Sequence, residues 1–407
     1  MECSLLRPPK IKATVSPEVD AEVTEDMVRT LAASQHAPTA HHYGRAMNSV
    51  ESPRDKATIA VTAGRPERVP DAPLNTPIVP ASAFVAGGPT EYAREGGLTI
   101  AAFEELLAAL EGTPDSTPAI AVAFSSGMAA ADAVLDTVPI GGRVIAPTTT
   151  YTGVAVRLRE LRDRGAIDLK LVDITNTDAV IAATESGADL LWLESPTNPL
   201  LEQADLPTLL TQARDAGIRT VVDNTFATPI LQQPLHLGAD IVLHSATKGL
   251  SGHSDLLLGA LVTTDDQLAE TLRTRRILLG AAPSAFDAFL ATRGMRTLAV
   301  RMAKAHASAA YLAEQLSAEP TVSRVRVFGS MLTMEFGGDA DRAQRVCEAT
   351  RIWVHATSLG GVESSLERRR RWPLEADHVP EDLVRASVGI EDPEDLWRDL
   401  ARAIKDS

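Results

Sequence analysis

One lysine, Lys248, stands among small and hydroxylated residues in "HSATKGLSGHSD", which begins at His244 directly after the apolar run "ADIVL". Upstream, "RTVVDNTFATP" places Asp223 at the end of a second apolar run, and "FSSGMAAADAVL" places Gly127 and Met128 where a strand would turn into a helix. A lysine amine can form a Schiff base with an aldehyde. A buried carboxylate needs a cationic or proton-donating partner. The free N–H groups at a helix start can hold a phosphate. Together at one sheet edge, these are the parts needed to hold pyridoxal phosphate, with the carboxylate keeping the pyridine nitrogen protonated so that the ring serves as an electron sink.

Each residue also has an ordinary use. A lysine at a strand end is commonly a solvated surface charge, an aspartate before "NT" can cap a helix, and Gly127 can serve a turn alone. His244 and His253 flank the lysine, but their surroundings lack a typical zinc ligand spacing, and no metal site is expected. The run "LERRRRW" is expected to form a solvated or substrate-entrance face.

The elements that must position these residues can be read from periodicity. "TIAAFEELLAALEG" carries Phe103, Leu106, Leu107 and Leu110 at helical spacing, with Gly112 as its expected C-cap. Seven short apolar runs follow, "AIAVAF", "RVIAP", "LKLVDI", "DLLWLES", "RTVVDN", "DIVLHS" and "GALVTT", with helical segments such as "DLPTLLTQARDAG" between several of them. Alternating strands and helices with near-continuous apolar strands predict an α/β fold: a mostly parallel sheet covered by helices on both faces. Ligands bind such sheets beyond the carboxyl ends of the strands.

Three regions are expected. Residues 1–56 read as a flexible extension, with one short helix around "EDMVRTLAA"; residues 57–275 hold an irregular Pro- and Gly-rich arm and the cofactor-binding domain. Residues 276–407 form a smaller C-terminal α+β domain containing a long helix "RMAKAHASAAYLAEQLSA", strand-like "VSRVRVFG", "MLTMEF" and "RIWVHATS", and a closing helix "EDLWRDLARAIKD".

Composition narrows the classes. With 407 residues, 44% apolar and 23% charged, the chain suits a large domain plus a smaller one. A net charge of −15 argues against nucleic acid as a partner. Two cysteines, Cys3 and Cys347, point to a reducing compartment. The absence of a long apolar run or secretory h-region completes the expectation of a cytoplasmic protein without a membrane partner.

The stretches "LESPTNP", "VVDNTFATP", "HSATKGLSGHSD", "SLGGVES" and "LVRASVGIEDPEDL" occur in this order at separations that resemble the cystathionine γ-synthase/γ-lyase family of pyridoxal-phosphate enzymes, from about Ala57 to the C-terminus. The resemblance implies the aspartate aminotransferase-like fold (fold type I). It makes Lys248 the Schiff-base lysine and proton carrier, pairs Asp223 with the pyridinium, and assigns the phosphate to Gly127, Met128, Ser245 and Thr247. It further makes Tyr151 the ring-stacking tyrosine that assists proton transfer, and Arg385 the clamp on the substrate α-carboxylate, with Asn198 and Ser358 nearby. Tyr92 and Arg94 match the pair that reaches a neighbouring subunit's phosphate, which implies a homotetramer with shared sites.

Two departures bear on the small-molecule amino-acid substrate. The distal arginine of cystathionine enzymes is replaced by Val156, with Arg157 one residue later, and the glutamate before the "SLGG" serine is Thr357. Methionine γ-lyases lack both handles too, but carry a cysteine close after the stacking tyrosine that has no counterpart here. The resemblance therefore implies γ-elimination or γ-replacement on an L-amino acid. A cystathionine γ-lyase-type C–S lyase, giving 2-oxobutanoate, ammonia and a thiol, is the first expectation. Methionine γ-lyase, cystathionine γ-synthase, O-acylhomoserine sulfhydrylase and a catalytically silent relative are the alternatives.

Overall fold

The computed structural model describes residues 54–88, 90–112 and 117–407. The expected helix around "EDMVRTLAA" and nearly all of the N-terminal extension lie outside them.

The seven apolar runs form the seven strands of one sheet: β1 (Ile120–Phe124), β2 (Gly142–Pro147), β3 (Ile167–Val172), β4 (Leu190–Glu194), β5 (Arg219–Asp223), β6 (Ile241–Ser245) and β7 (Gly259–Thr263). Their spatial order is β1-β7-β6-β5-β4-β2-β3, and only β7 runs against its two neighbours. Successive residues feed opposite faces, as a pleat requires. Leu191, Leu193 and Val222 enter one apolar core, while Leu190, Trp192 and Val221 enter the other. Both cores are closed by helices, among them Leu98–Glu111 on the first and Gly127–Leu135 on the second. The sheet is therefore the mostly parallel, doubly covered one read from the sequence.

A second sheet of five strands, in the order β10-β11-β12-β9-β8, is built from β8 (Arg324–Phe328), β9 (Met331–Glu335), β10 (Val354–His355), β11 (Ser365–Arg368) and β12 (Val384–Ser387). It packs with the helices Leu298–Ser317, Ala340–Ala349 and Pro393–Asp406 around its own core, which includes Leu332, Val346 and Leu400. Both sheets belong to one compact unit.

Two local expectations need correction. The arm was expected to lack regular structure, yet Lys56–Thr62 is a helix, because Asp55 caps it by accepting the Ala57 N–H at 2.8 Å and its seven residues include neither Pro nor Gly. Gly112 ends its helix as expected, with φ −47°. The arginine run is not a solvated face. Arg369 is buried against Glu367 and Glu375 at 2.6 Å each, and Arg370 pairs with Glu381 and Asp377. Glu367 within the run and the downstream Glu375, Asp377 and Glu381 pair with its arginines, so its charges are neutralised inside the chain.

Candidate active site

The parallel strands deliver their terminal residues to one edge. Asp223 closes β5, and Ser245 closes β6 three residues before Lys248. Asp223 Oδ1 accepts the Thr225 N–H at 3.0 Å, a local turn rather than a helix cap. Its side chain stays half-buried at the carboxyl end of the strand, where a further partner can reach it.

Gly127 starts the helix Gly127–Leu135, and Ser126 caps it by accepting the Ala129 N–H at 3.1 Å. A Cβ on Gly127 would lie 2.9 Å from both the Cβ and Oγ of Ser245. Only glycine lets the helix start approach that hydroxyl. Tyr151 caps the helix Thr152–Asp163, and a Cβ on the neighbouring Gly153 would meet the Tyr151 ring at 2.7 Å and Met128 Sδ at 2.9 Å. The ring therefore lies beside the same helix start. The Thr247 hydroxyl is turned differently, exchanging hydrogen bonds with Leu258 N and O at 3.0 and 3.2 Å and so bracing the lysine turn.

The lysine turn meets the loop that precedes β11. Lys248 Nζ donates to Ser358 Oγ at 3.0 Å. Ser358 holds φ at +106°, a strained conformation for a residue with a side chain. In that conformation its hydroxyl faces Lys248 and its carbonyl accepts Arg385 Nη2 at 3.0 Å. Gly360 makes the approach possible, since a Cβ there would fall 2.5 Å from Gly249 N. Arg385, on β12, also donates from Nη1 to Asn198 Oδ1 at 2.8 Å and from Nη2 to Glu367 Oε1 at 2.7 Å. Lysine, serine and arginine thus form one connected group.

Electrostatics follow from this burial. Burial, with Arg385 adding to it, lowers the Lys248 ammonium from 10.5 to about 8. Burial also brings Arg385 down to about 10, still charged at neutral pH. For Glu367 burial works upward, but Arg385 and Arg369 outweigh it and hold the carboxyl at about 2. Burial and then the Asp223 charge push Glu194 up to about 8. Asp223 is likewise raised by burial, with the Thr225 bonds and His244 opposing.

Two carboxylates escaped the sequence reading. Glu367 accepts from Thr357 Oγ1, Arg369, Arg385, Arg371 and Trp372 Nε1. Glu194, inside the quoted "LESPTNP", accepts the Tyr151 N–H at 2.7 Å and the Asn198 N–H at 3.0 Å, and pairs with Thr150. Its position at the end of a wholly apolar strand was the available signal. Of the expected residues, Tyr92 and Arg94 are not brought to Lys248; they are exposed, with the guanidinium 4.4 Å over the tyrosine ring. Val156 is exposed, and Arg157 is committed to Asp132 at 2.6 Å and Glu160 at 2.9 Å. His244 donates to or accepts from the buried Glu111 at 2.7 Å.

This edge fits pyridoxal phosphate. Backbone N–H groups of Gly127 and Met128 with Ser245 Oγ suit the phosphate, the Asp223 carboxylate suits a protonated ring nitrogen, Tyr151 suits a ring face, and Lys248 suits the aldehyde. Fold and site together define a pyridoxal-phosphate enzyme of fold type I. The model of the Cys/Met metabolism PLP-dependent enzyme family matches residues 57–405, and the chain belongs to that family. It is 41% identical over 383 residues to the cystathionine γ-synthase of Mycobacterium tuberculosis, covering 86% of this chain and 96% of that one. Among solved structures it is similar to metB from Corynebacterium glutamicum, 36% identical with a TM-score of 0.82 over 87% of this chain and 98% of that one. It is also similar to CalE6 from Micromonospora echinospora, a cystathionine γ-lyase, 35% identical with a TM-score of 0.81 over 86% and 99%.

Proposed function

We propose that the protein catalyses γ-elimination or γ-replacement on an L-amino acid with a leaving group on its γ-carbon, acting first as a cystathionine γ-lyase-type enzyme. The observation that carries this reading is the shared Ser358, whose two oxygens join Lys248 Nζ and the Arg385 guanidinium at 3.0 Å each. A substrate carboxylate on Arg385 would place its α-carbon within reach of the lysine amine.

When bound, pyridoxal phosphate supplies the electron sink that makes deprotonation beside the amino group accessible. Gly127, Met128 and Ser245 hold its phosphate, Thr247 braces the turn, Asp223 stabilises the protonated ring nitrogen, and Tyr151 covers the ring. Arg385, fixed by Asn198, Ser358 and Glu367, binds the α-carboxylate in the bidentate manner that suits a guanidinium. Lys248 takes the α-proton; its basicity, lowered by burial to about 8, leaves roughly a tenth of the free amine neutral at pH 7, far more than an ordinary lysine. A second deprotonation at the β-carbon lets the γ-substituent leave with its bonding pair, and the departing thiolate takes a proton. For L-cystathionine and one water the products are L-cysteine, 2-oxobutanoate and ammonia.

The 41% identity to a cystathionine γ-synthase favours a second reading, in which a thiol replaces the γ-substituent before hydrolysis. Tyr92 and Arg94 serve a neighbouring subunit's phosphate in a homotetramer in either case. Turnover in deuterium oxide tests the shared chemistry. Deuterium is expected at both the α- and β-carbons of recovered substrate or of a γ-replacement product, and at the former β- and γ-carbons of 2-oxobutanoate, whereas exchange at the α-carbon alone in recovered substrate would indicate transamination or β-elimination.

A further inference from the structure

The strands β2 and β4 pair only at Val144 with Leu190 and Ile145 with Leu191. Towards the carboxyl edge they have no further ladder pairs with one another, and the loops Thr148–Tyr151 and Ser195–Asn198 follow them. Glu194, 5% exposed, spans this gap with its carboxyl group. Its Oε2 takes the Tyr151 N–H at 2.7 Å and pairs with Thr150 Oγ1, while its Oε1 takes the Asn198 N–H at 3.0 Å. Asn198 in turn holds Arg385 at 2.8 Å. One side chain therefore ties the loop of the ring-covering tyrosine to the loop that braces the carboxylate clamp.

We infer that Glu194 is a positioning residue that fixes Tyr151 relative to the Asn198–Arg385 clamp, so that the cofactor ring and the substrate carboxylate are held at one set separation. The inference rests on the roles proposed above for Tyr151 and Arg385. The chemistry of the bridge requires a carboxyl group. Both oxygens face a backbone N–H, so an amide, with one acceptor and one donor, must set a donor against one of the two N–H groups. The neighbouring Asp223, paired with Glu194 across β4 and β5, makes a second negative charge unfavourable there. A protonated Glu194 still serves, because its hydroxyl can donate to Thr150 while accepting from Tyr151.

Glu194→Gln in the cofactor-loaded protein tests this, with kcat and KM measured separately, the visible circular dichroism of the bound cofactor recorded, and a double-mutant cycle run with Asn198→Ala. The expected result is a drop in kcat/KM of at least about tenfold, the loss of one buried hydrogen bond, with altered visible dichroism and cofactor content retained. Glu194→Gln with Asn198→Ala should then cost little more than the worse single change, as for residues acting in one chain. Unchanged kinetics and dichroism, or two effects that multiply independently, would overturn the proposal. Should the glutamine protein not fold, Glu194→Asp retracts both acceptors by one methylene and is read in the same way; wild-type behaviour of that variant would overturn it. A wild-type protein without cofactor absorbance or turnover would instead count against the functional reading.

Discussion

Glu367 and Arg385 stand opposite one another on β11 and β12 and are joined by a 2.7 Å ion pair. The same carboxylate also receives Arg369, Arg371, Trp372 and Thr357, so its acceptor sites are filled and it has none to spare for a substrate ammonium. Its role is to set the orientation of the clamp. Glu367→Gln keeps the shape and removes the charge that holds Arg385 and Arg369 together. The KM for the amino-acid substrate is expected to rise about tenfold or more, with cofactor absorbance retained. Steady-state kinetics beside an absorbance spectrum check this.

Glu367 also shapes the response to acid. Its carboxyl lies below the ordinary value, at about 2 instead of 4.5, so its stabilising contribution is complete above pH 4.5 and is lost as pH falls towards 2. Urea unfolding of the wild type and of Glu367→Gln at several pH values should converge across that window and separate above it. A constant difference at every pH would assign the acid sensitivity to another group.

Lys248 has the opposite displacement, lowered from 10.5 to about 8 by burial and by Arg385. Its amine is uncharged, and so nucleophilic, above about pH 8. Recombination of cofactor-free protein with pyridoxal phosphate should accelerate with pH and level off near 8, far below the range of a free lysine. Lys248→Ala should abolish the visible band of the lysine-bound cofactor and cut turnover by at least about a thousandfold.

Tyr92 and Arg94 stack on each other at the surface. If they complete a neighbour's site, Arg94→Ala and Lys248→Ala proteins will each be weak alone. Mixing the two chains under exchange conditions should restore activity, because some sites then receive an intact lysine and an intact arginine from different chains. No recovery in a demonstrably mixed oligomer would place Arg94 outside the site.

Much of this was legible in the chain itself. All but one of the strands of the large sheet are short apolar runs buried on both faces, and only the edge strand β3 has an exposed face, so the pattern marks all seven, and the ends of β5 and β6 deliver Asp223, Ser245 and Lys248 to the site. The smaller sheet was less visible. β11 and β12 are four-residue strands rich in polar residues, "SLER" and "VRAS", whose burial depends on pairing across the chain. For the same reason the arginine run looked solvated, since Glu367, Glu375 and Glu381 neutralise it only after folding. Arg157, the natural replacement for the missing distal arginine, faces Asp132 on the next helix instead. Glu194 and Glu367 could not be assigned from spacing, because each acts by joining segments distant in sequence.

The most direct measurement of the central claim is a product assay on the cofactor-loaded protein with L-cystathionine, L-methionine, and an O-acylhomoserine plus cysteine, following 2-oxobutanoate, thiol and cystathionine separately. L-Cystathionine is expected to yield 2-oxobutanoate and cysteine in equal amounts, with ammonia. Cystathionine formed from the acylhomoserine would identify the γ-replacing reaction in the same site. No 2-oxobutanoate and no cystathionine from any substrate would contradict γ-elimination and γ-replacement together.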